Sequence, residues 1–330
     1  MARTLVVAPS WIGDAVLSHP LLARVAASDP AGTIDVLAPP WVIPVYLRMP
    51  EVDAAIDNPF GHGDLRLAER RAFARRLERY DRALVLPNSF KSVLIPWHAR
   101  IPVRTGYRGE MRYGLLNDVR KLDESALPLI VERYAALAQP AGEALRRPLP
   151  EPRLRIDAES REATVAKHRL DVSAPVAAFA PGAEYGPAKR WPARHFAALA
   201  QTLAARGWRV WLLGSPRDAE VTAQIQSLSG DSCVDLAGRT SLDEAIDLLS
   251  LATRVVTNDS GLMHVAAALD RPIAAIFGSS SPVFTPPLAT GARVISLNLA
   301  CSPCFARVCP LGHTNCLETL EPAQVLEALE

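Results

Sequence analysis

An acidic residue, Asp14, closes the turn Pro9-Ser10-Trp11-Ile12-Gly13-Asp14 directly after the first apolar run of this chain. A carboxylate behind a glycine turn at the end of a strand can take a proton from a hydroxyl. It can equally cap the next helix and do no chemistry. A second turn, Pro181-Gly182-Ala183-Glu184-Tyr185-Gly186-Pro187-Ala188-Lys189-Arg190-Trp191-Pro192, ends in two cations. Lysine is a compact charge suited to a phosphate, and arginine forks across two oxygens. A third turn, Thr257-Asn258-Asp259-Ser260-Gly261, stops a β-branched run and opens one with Leu262, Val265, Ala266 and Leu269 at helical spacing. A strand that ends in small residues and starts a helix leaves unpaired N–H groups facing outward, which suits a diphosphate. The plainer outcome there is an ordinary capped helix.

Gly214-Ser215-Pro216-Arg217-Asp218 and Leu236-Ala237-Gly238-Arg239-Thr240 are two more small-residue turns in the same half. Several such turns on one sheet edge suggest a nucleotide pocket. In the first half, Lys91, Arg104, Arg108 and Arg112 follow strands and could meet an anionic substrate, although surface solvation is the commoner fate of each. Arg66, Arg70, Arg71, Arg75, Arg76 and Arg79 lie on one helical run, with Phe73, Leu77 and Tyr80 marking its buried side. That run is either a solvated face or a contact for an anionic membrane surface. Near the end, Cys301-Ser302-Pro303-Cys304 precedes Cys309, His313 and Cys316. These cysteines could hold a structural zinc tetrahedrally or stay a reduced, loop-packed thiol cluster. No other His/Cys/Asp set has the look of a catalytic metal site.

These turns must be carried by regular elements. Strands are expected at residues 5–8, 34–38, 83–86, 176–179, 210–213, 255–257 and 273–277, with helices at 15–26, 193–206, 218–228 and 242–251. Strands alternating with helices of this length predict parallel sheets, hence an α/β chain of two doubly wound, Rossmann-like domains. Ligands of such sheets bind beyond the carboxyl ends of the strands, so the two domains are expected to face one another across a cleft. The join falls in 140–175, around the stiff Pro148-Leu149-Pro150-Glu151-Pro152. The expected partition is 1–160 for the acceptor, 170–318 for the donor, and a terminal helix at 319–330. A formal net charge of +1 argues against a dedicated nucleic-acid binder. The charge is uneven, +4 over residues 1–150 and −3 over the remainder. No apolar run is long enough to span a bilayer, and no signal peptide is evident, so a cytosolic chain without structural disulfides is expected.

Taken together, the quoted turns resemble the ADP-heptose–lipopolysaccharide heptosyltransferases, family-nine glycosyltransferases of the two-domain GT-B fold. Residues 86–92, 104–118 and 280–287 extend the likeness nearly end to end. The resemblance implies an enzyme of lipopolysaccharide biosynthesis, peripheral at the cytoplasmic face of the inner membrane. Its implied reaction moves L-glycero-D-manno-heptose from ADP-heptose to the first heptose of heptosyl-Kdo2-lipid A, by inversion and without a metal or other cofactor. It assigns Asp14 as general base and Lys189 as the cation at the diphosphate. Gly182, Glu184, Asp259, Ser260, Gly261 and His264 fall at the donor, while Lys91, Arg108 and Arg112 are expected at the acceptor. The rival readings are a family relative with another acceptor or sugar, an NAD-dependent oxidoreductase, and a non-catalytic nucleotide-binding module that tethers partners to the membrane. The first turn lacks G-x-G-x-x-G, which weakens the oxidoreductase.

Overall fold

Runs of Val, Ile, Leu and Ala are buried on both faces of a parallel sheet, and here they form its central strands. The computed structural model describes residues 1–61 and 63–330. The chain divides into two units, Met1–Pro152 and Arg153–Glu330. The first holds β1 (Arg3–Val7), β2 (Thr33–Ala38), β3 (Ala54–Asp57), β4 (Arg82–Val85), β5 (Val103–Tyr107) and β6 (Asp118–Arg120). They make one parallel sheet in the order β3-β2-β1-β4-β5-β6. The second holds β7 (Val176–Ala180), β8 (Arg209–Leu212), β9 (Cys233–Asp235), β10 (Arg254–Asn258), β11 (Ile273–Ile276) and β12 (Ala292–Ile295), ordered β12-β11-β10-β7-β8-β9. Counted from its own first strand, the second sheet repeats the order of the first. In each, the strand order reverses between the first and fourth strands, where doubly wound sheets bind ligands.

Both cores follow from helical spacing against these sheets. Helix Ala193–Ala205 buries Phe196, Leu199, Ala200 and Leu203 over β7 and β8. Helix Pro322–Leu329 adds Val325 and Leu329 to the same core, so the terminal helix is a layer of the second unit. In the first unit, Phe60, Ala74, Tyr80, Val93, Ile95 and Leu116 cover β1, β4 and their neighbours. Each buried side chain of this size contributes roughly 1.5–3 kcal/mol.

Two expectations are corrected. The helix expected at 15–26 is two helices, Ile12–Leu17 and His19–Ser28. Pro20 has no N–H for the carbonyl four residues earlier, so one helix cannot continue through it. The arginine-rich helix spans only Leu67–Ala74, and Arg66 before it is left-handed with φ 36°. The division between units at 152/153 falls within the expected join of 140–175, and just beyond it Leu154 N–H donates to Ala268 O at 3.0 Å.

Candidate active site

In the second unit the residues singled out after β7 and β10 converge at the point of strand reversal. Lys189 Nζ donates to Asp259 Oδ2 at 2.5 Å, with side-chain exposures of 18% and 7%. The ammonium also stands 5.1 Å from the Tyr185 ring centroid, on whose face a cation is attracted. Beside this pair, helix Gly261–Ala268 begins without a side-chain cap, since Ser260 Oγ pairs with Thr257 Oγ1 at 3.2 Å instead. Its first N–H groups are therefore unspent and carry the positive end of the helix dipole. His264, buried on the same helix, has an Nδ1 without a hydrogen-bond partner. Burial pushes its imidazole down to about 4, Asp259 opposes that shift and Lys189 adds to it, so the ring is neutral at pH 7. Gly182 is a glycine for space: a Cβ there would collide with the Asp218 carboxylate. Glu184 turns outward to an exposed ion pair with Arg217.

Sequence reasoning left two residues here without a role. Asn258 accepts from Trp191 N–H at 3.0 Å and donates to Pro181 O at 2.6 Å, stitching both ends of the Lys189 turn to β10. Asp218 accepts from Ser215 N–H at 2.9 Å and Ser215 Oγ at 2.8 Å beneath Gly182. An Asn beside the donor-loop Asp was the only available signal for the first. Nothing in the sequence marked the second as a neighbour of Gly182.

In the first unit, Asp14 lies in the first turn of helix Ile12–Leu17, directly after β1. Among the described residues its carboxylate has no hydrogen-bond or ion-pair partner. Desolvation raises its pKa from 3.8 to about 6. Tyr46 and Tyr134, both buried, lie within its electrostatic reach. A desolvated carboxylate of that pKa is ionised at pH 7 yet a stronger proton acceptor than an ordinary aspartate.

The expected acceptor cations part company. Lys91 is half-buried on the short turn Phe90–Val93 after β4, and Arg108 is exposed after β5. Arg112 is buried, contrary to its expected availability. Its guanidinium donates to Pro87 O (2.7 Å), Ser92 Oγ (3.1 Å), Asn88 Oδ1 (3.2 Å) and Tyr107 O (2.5 Å). It ties the loop after β4 to the loop after β5, and burial lowers its pKa. Arg104 is spent in the same way on the carbonyls of Leu115 and Ile101.

The glycosyltransferase family 9 (heptosyltransferase) model matches residues 70–315. The chain is 48% identical to lipopolysaccharide heptosyltransferase 2 of Escherichia coli K12, across 99% of this chain and 97% of that one. It belongs to glycosyltransferase family 9. It is 44% identical to lipooligosaccharide heptosyltransferase 2 of Haemophilus influenzae Rd over 89% of this chain and 88% of that one. The solved structure of the E. coli ADP-heptose lipopolysaccharide heptosyltransferase II superposes with a TM-score of 0.90 at 46% identity, covering 99% and 97% of the two chains. This family 9 enzyme therefore has the GT-B architecture of two parallel α/β units. Among its described residues no helix is long and apolar enough to cross a membrane.

Four of the five cysteines of this family 9 chain lie in residues 296–314 and just beyond, the fifth being the buried Cys233. Cys301 and Cys304 are exposed, Cys309 and Cys316 half-buried, and none is disulfide-bonded. Backbone N–H groups of Thr314, Leu311, His313 and Gly312 donate to Cys309 and hold its thiol below the ordinary range. Among the described residues no three His, Cys, Asp or Glu side chains stand at metal-ligating separation.

Proposed function

We propose that the chain transfers L-glycero-D-manno-heptose from ADP-heptose to the first heptose of heptosyl-Kdo2-lipid A. The acceptor hydroxyl oxygen attacks the anomeric carbon as its proton passes to the Asp14 carboxylate. The bond from that carbon to the diphosphate oxygen breaks, and ADP leaves with the electron pair, inverting the centre. Asp14 has the unpaired, desolvated carboxylate this step needs, worth roughly 10²–10⁴ in rate. Lys189 and the open N–H groups at Gly261 answer the charge that grows on the leaving diphosphate, so in this reading no metal is required. Lys189 has N–H groups beyond the one on Asp259, and an ammonium can hold carboxylate and phosphate together. Gly182, Ser260 and the neutral His264 line the donor side, while Lys91 and Arg108 offer charge to an anionic acceptor. Such an acceptor is anchored in a membrane, and we place the enzyme as a peripheral protein at the cytoplasmic face of the inner membrane.

The observation that carries this reading is the Lys189–Asp259 pair beside an uncapped helix at the reversal point of the second sheet. Its test is ADP release from ADP-heptose. Release is expected with heptosyl-Kdo2-lipid A and not with Kdo2-lipid A lacking the heptose. Equal release with both, or turnover only with another sugar nucleotide, would overturn it.

A further inference from the structure

Residues 296–314 run from the end of β12 to helix Asn315–Glu318 with no helix or strand of their own. A loop of that length in a packed domain needs another source of order. Leu297 packs against the core at its start, but farther along the apolar side chains do not supply it, since Phe305, Val308 and Leu311 are 56%, 68% and 61% exposed. Yet the Lys189 turn depends on this loop. Arg307 O accepts from Ala188 N–H at 3.1 Å, and Phe305 O accepts from Tyr185 Oη at 2.8 Å. The Arg307 guanidinium lies 5.0 Å from the same Tyr185 ring that holds Lys189. Gly186 is forced here, because a Cβ would come within 2.5 Å of Arg307 O.

Beneath that contact lies a cavity of about 20 Å³, ringed by Cys301, Cys304, Cys309, Cys316 and His313, with Ala188 of the donor turn in its wall. This is about the room of one small sphere of water size. Four thiols around so small a space are the donor set of a soft, four-coordinate divalent ion. The N–H groups of residues 311–314 already surround the Cys309 sulfur, as outer-shell donors do around a ligating thiolate. His313 Nδ1 accepts from Asn315 N–H at 3.0 Å, which leaves the cysteines as the better set. The sulfurs do not yet converge to ligating separation. One χ1 step between staggered wells moves a cysteine sulfur by about 3 Å, enough to turn a lining thiol inward.

We propose that Cys301, Cys304, Cys309 and Cys316 bind one zinc-type divalent ion, which fixes the 296–314 loop and through Arg307 and Phe305 braces the Lys189 turn. Binding exchanges thiol protons for the metal, with no change of oxidation state. The test uses the full chain, purified under reducing conditions, with no donor or acceptor present, so its outcome is separate from that of the transferase reading. About one zinc per chain is expected. After the metal is stripped, added Co²⁺ should give the intense thiolate-to-cobalt absorption of a tetrahedral sulfur site. Cys301→Ser/Cys304→Ser should lose both signals while keeping its circular dichroism, and His313→Ala should keep both. Cys309→Ser gives a second route should the double variant fold poorly. Loading should slow amide exchange at Ala188 and Lys189. Absence of stoichiometric metal with all four thiols freely reactive, or uptake unchanged in both cysteine variants, would overturn the site. Loading without slower exchange at Ala188 would overturn the bracing.

Discussion

Asp14 follows the first strand of one sheet, and Asp259 follows the fourth strand of the other. The two sheets share one strand order, so both carboxylates flank a point of strand reversal. Their surroundings are opposite. Asp259 is paired with an ammonium at 2.5 Å beside an open helix N-terminus. Asp14 has no partner among the described residues and is desolvated. The duplicated topology thus delivers a carboxylate to each crevice, and the neighbours decide what it does. In the proposed reading, a cation fixes one as part of an anion cradle, and desolvation without a partner suits the other to accept a proton.

That contrast breaks most visibly at Asp14. Asp14→Asn keeps the shape and removes the base, so turnover should fall roughly 10²- to 10⁴-fold with ADP affinity unchanged. Initial rates beside calorimetric ADP titration check this, and a parallel loss in both would remove Asp14 from the chemistry. Next comes the cradle. Lys189→Ala leaves Asp259 buried without its cation, which should cost on the order of 3 kcal/mol and weaken ADP binding. Lys189→Ala/Asp259→Ala should recover much of that stability without recovering affinity. Denaturant unfolding of the double-mutant cycle reads the coupling, and additive losses would mean the pair is not a unit.

Asp14 also carries a stability signature of definite sign. Its folded pKa is raised, so the folded state holds the proton more tightly than the unfolded chain. The stability contributed by protonation is fully present below about pH 4 and lost as the pH rises to about 6. Above that, ionised Asp14 costs at most about 3 kcal/mol. Asp14→Asn should therefore stabilise the chain at pH 7 and not at pH 4; equal effects at both would argue against a desolvated carboxylate. The smallest effects separate the basic residues of the first unit. Arg112→Ala should destabilise by about 1–3 kcal/mol, because buried acceptors lose their donor. Lys91→Ala and Arg108→Ala should change stability by no more than about 0.5 kcal/mol and act on the acceptor KM.

The sequence made the central strands legible because their burial on both faces demands continuous apolar runs, as in 176–179 and 255–257. The edge strands Ala54–Asp57, Asp118–Arg120, Cys233–Asp235 and Ala292–Ile295 were not legible. They are half-exposed and polar in part, and only backbone pairing with a neighbour makes them strands. The site divides the same way. Asp14, Lys189 and Asp259 stand out as charges in small-residue turns. That Lys189 and Asp259 meet, 70 residues apart, depends on β7 and β10 being neighbours. Arg112 reads as a free cation because its partners are carbonyls and an asparagine from another loop, which no local pattern announces. The break at Ser18 was readable from Pro20, but the apolar spacing on either side hid it.

The distinction between the two carboxylates is tested most directly by titrating Asp14 itself, through the carboxyl band of ¹³C-labelled aspartate in infrared difference spectra of the chain against Asp14→Asn. Half-protonation near pH 6 is the expected result. An Asp14 that remains ionised down to pH 4 would contradict the account.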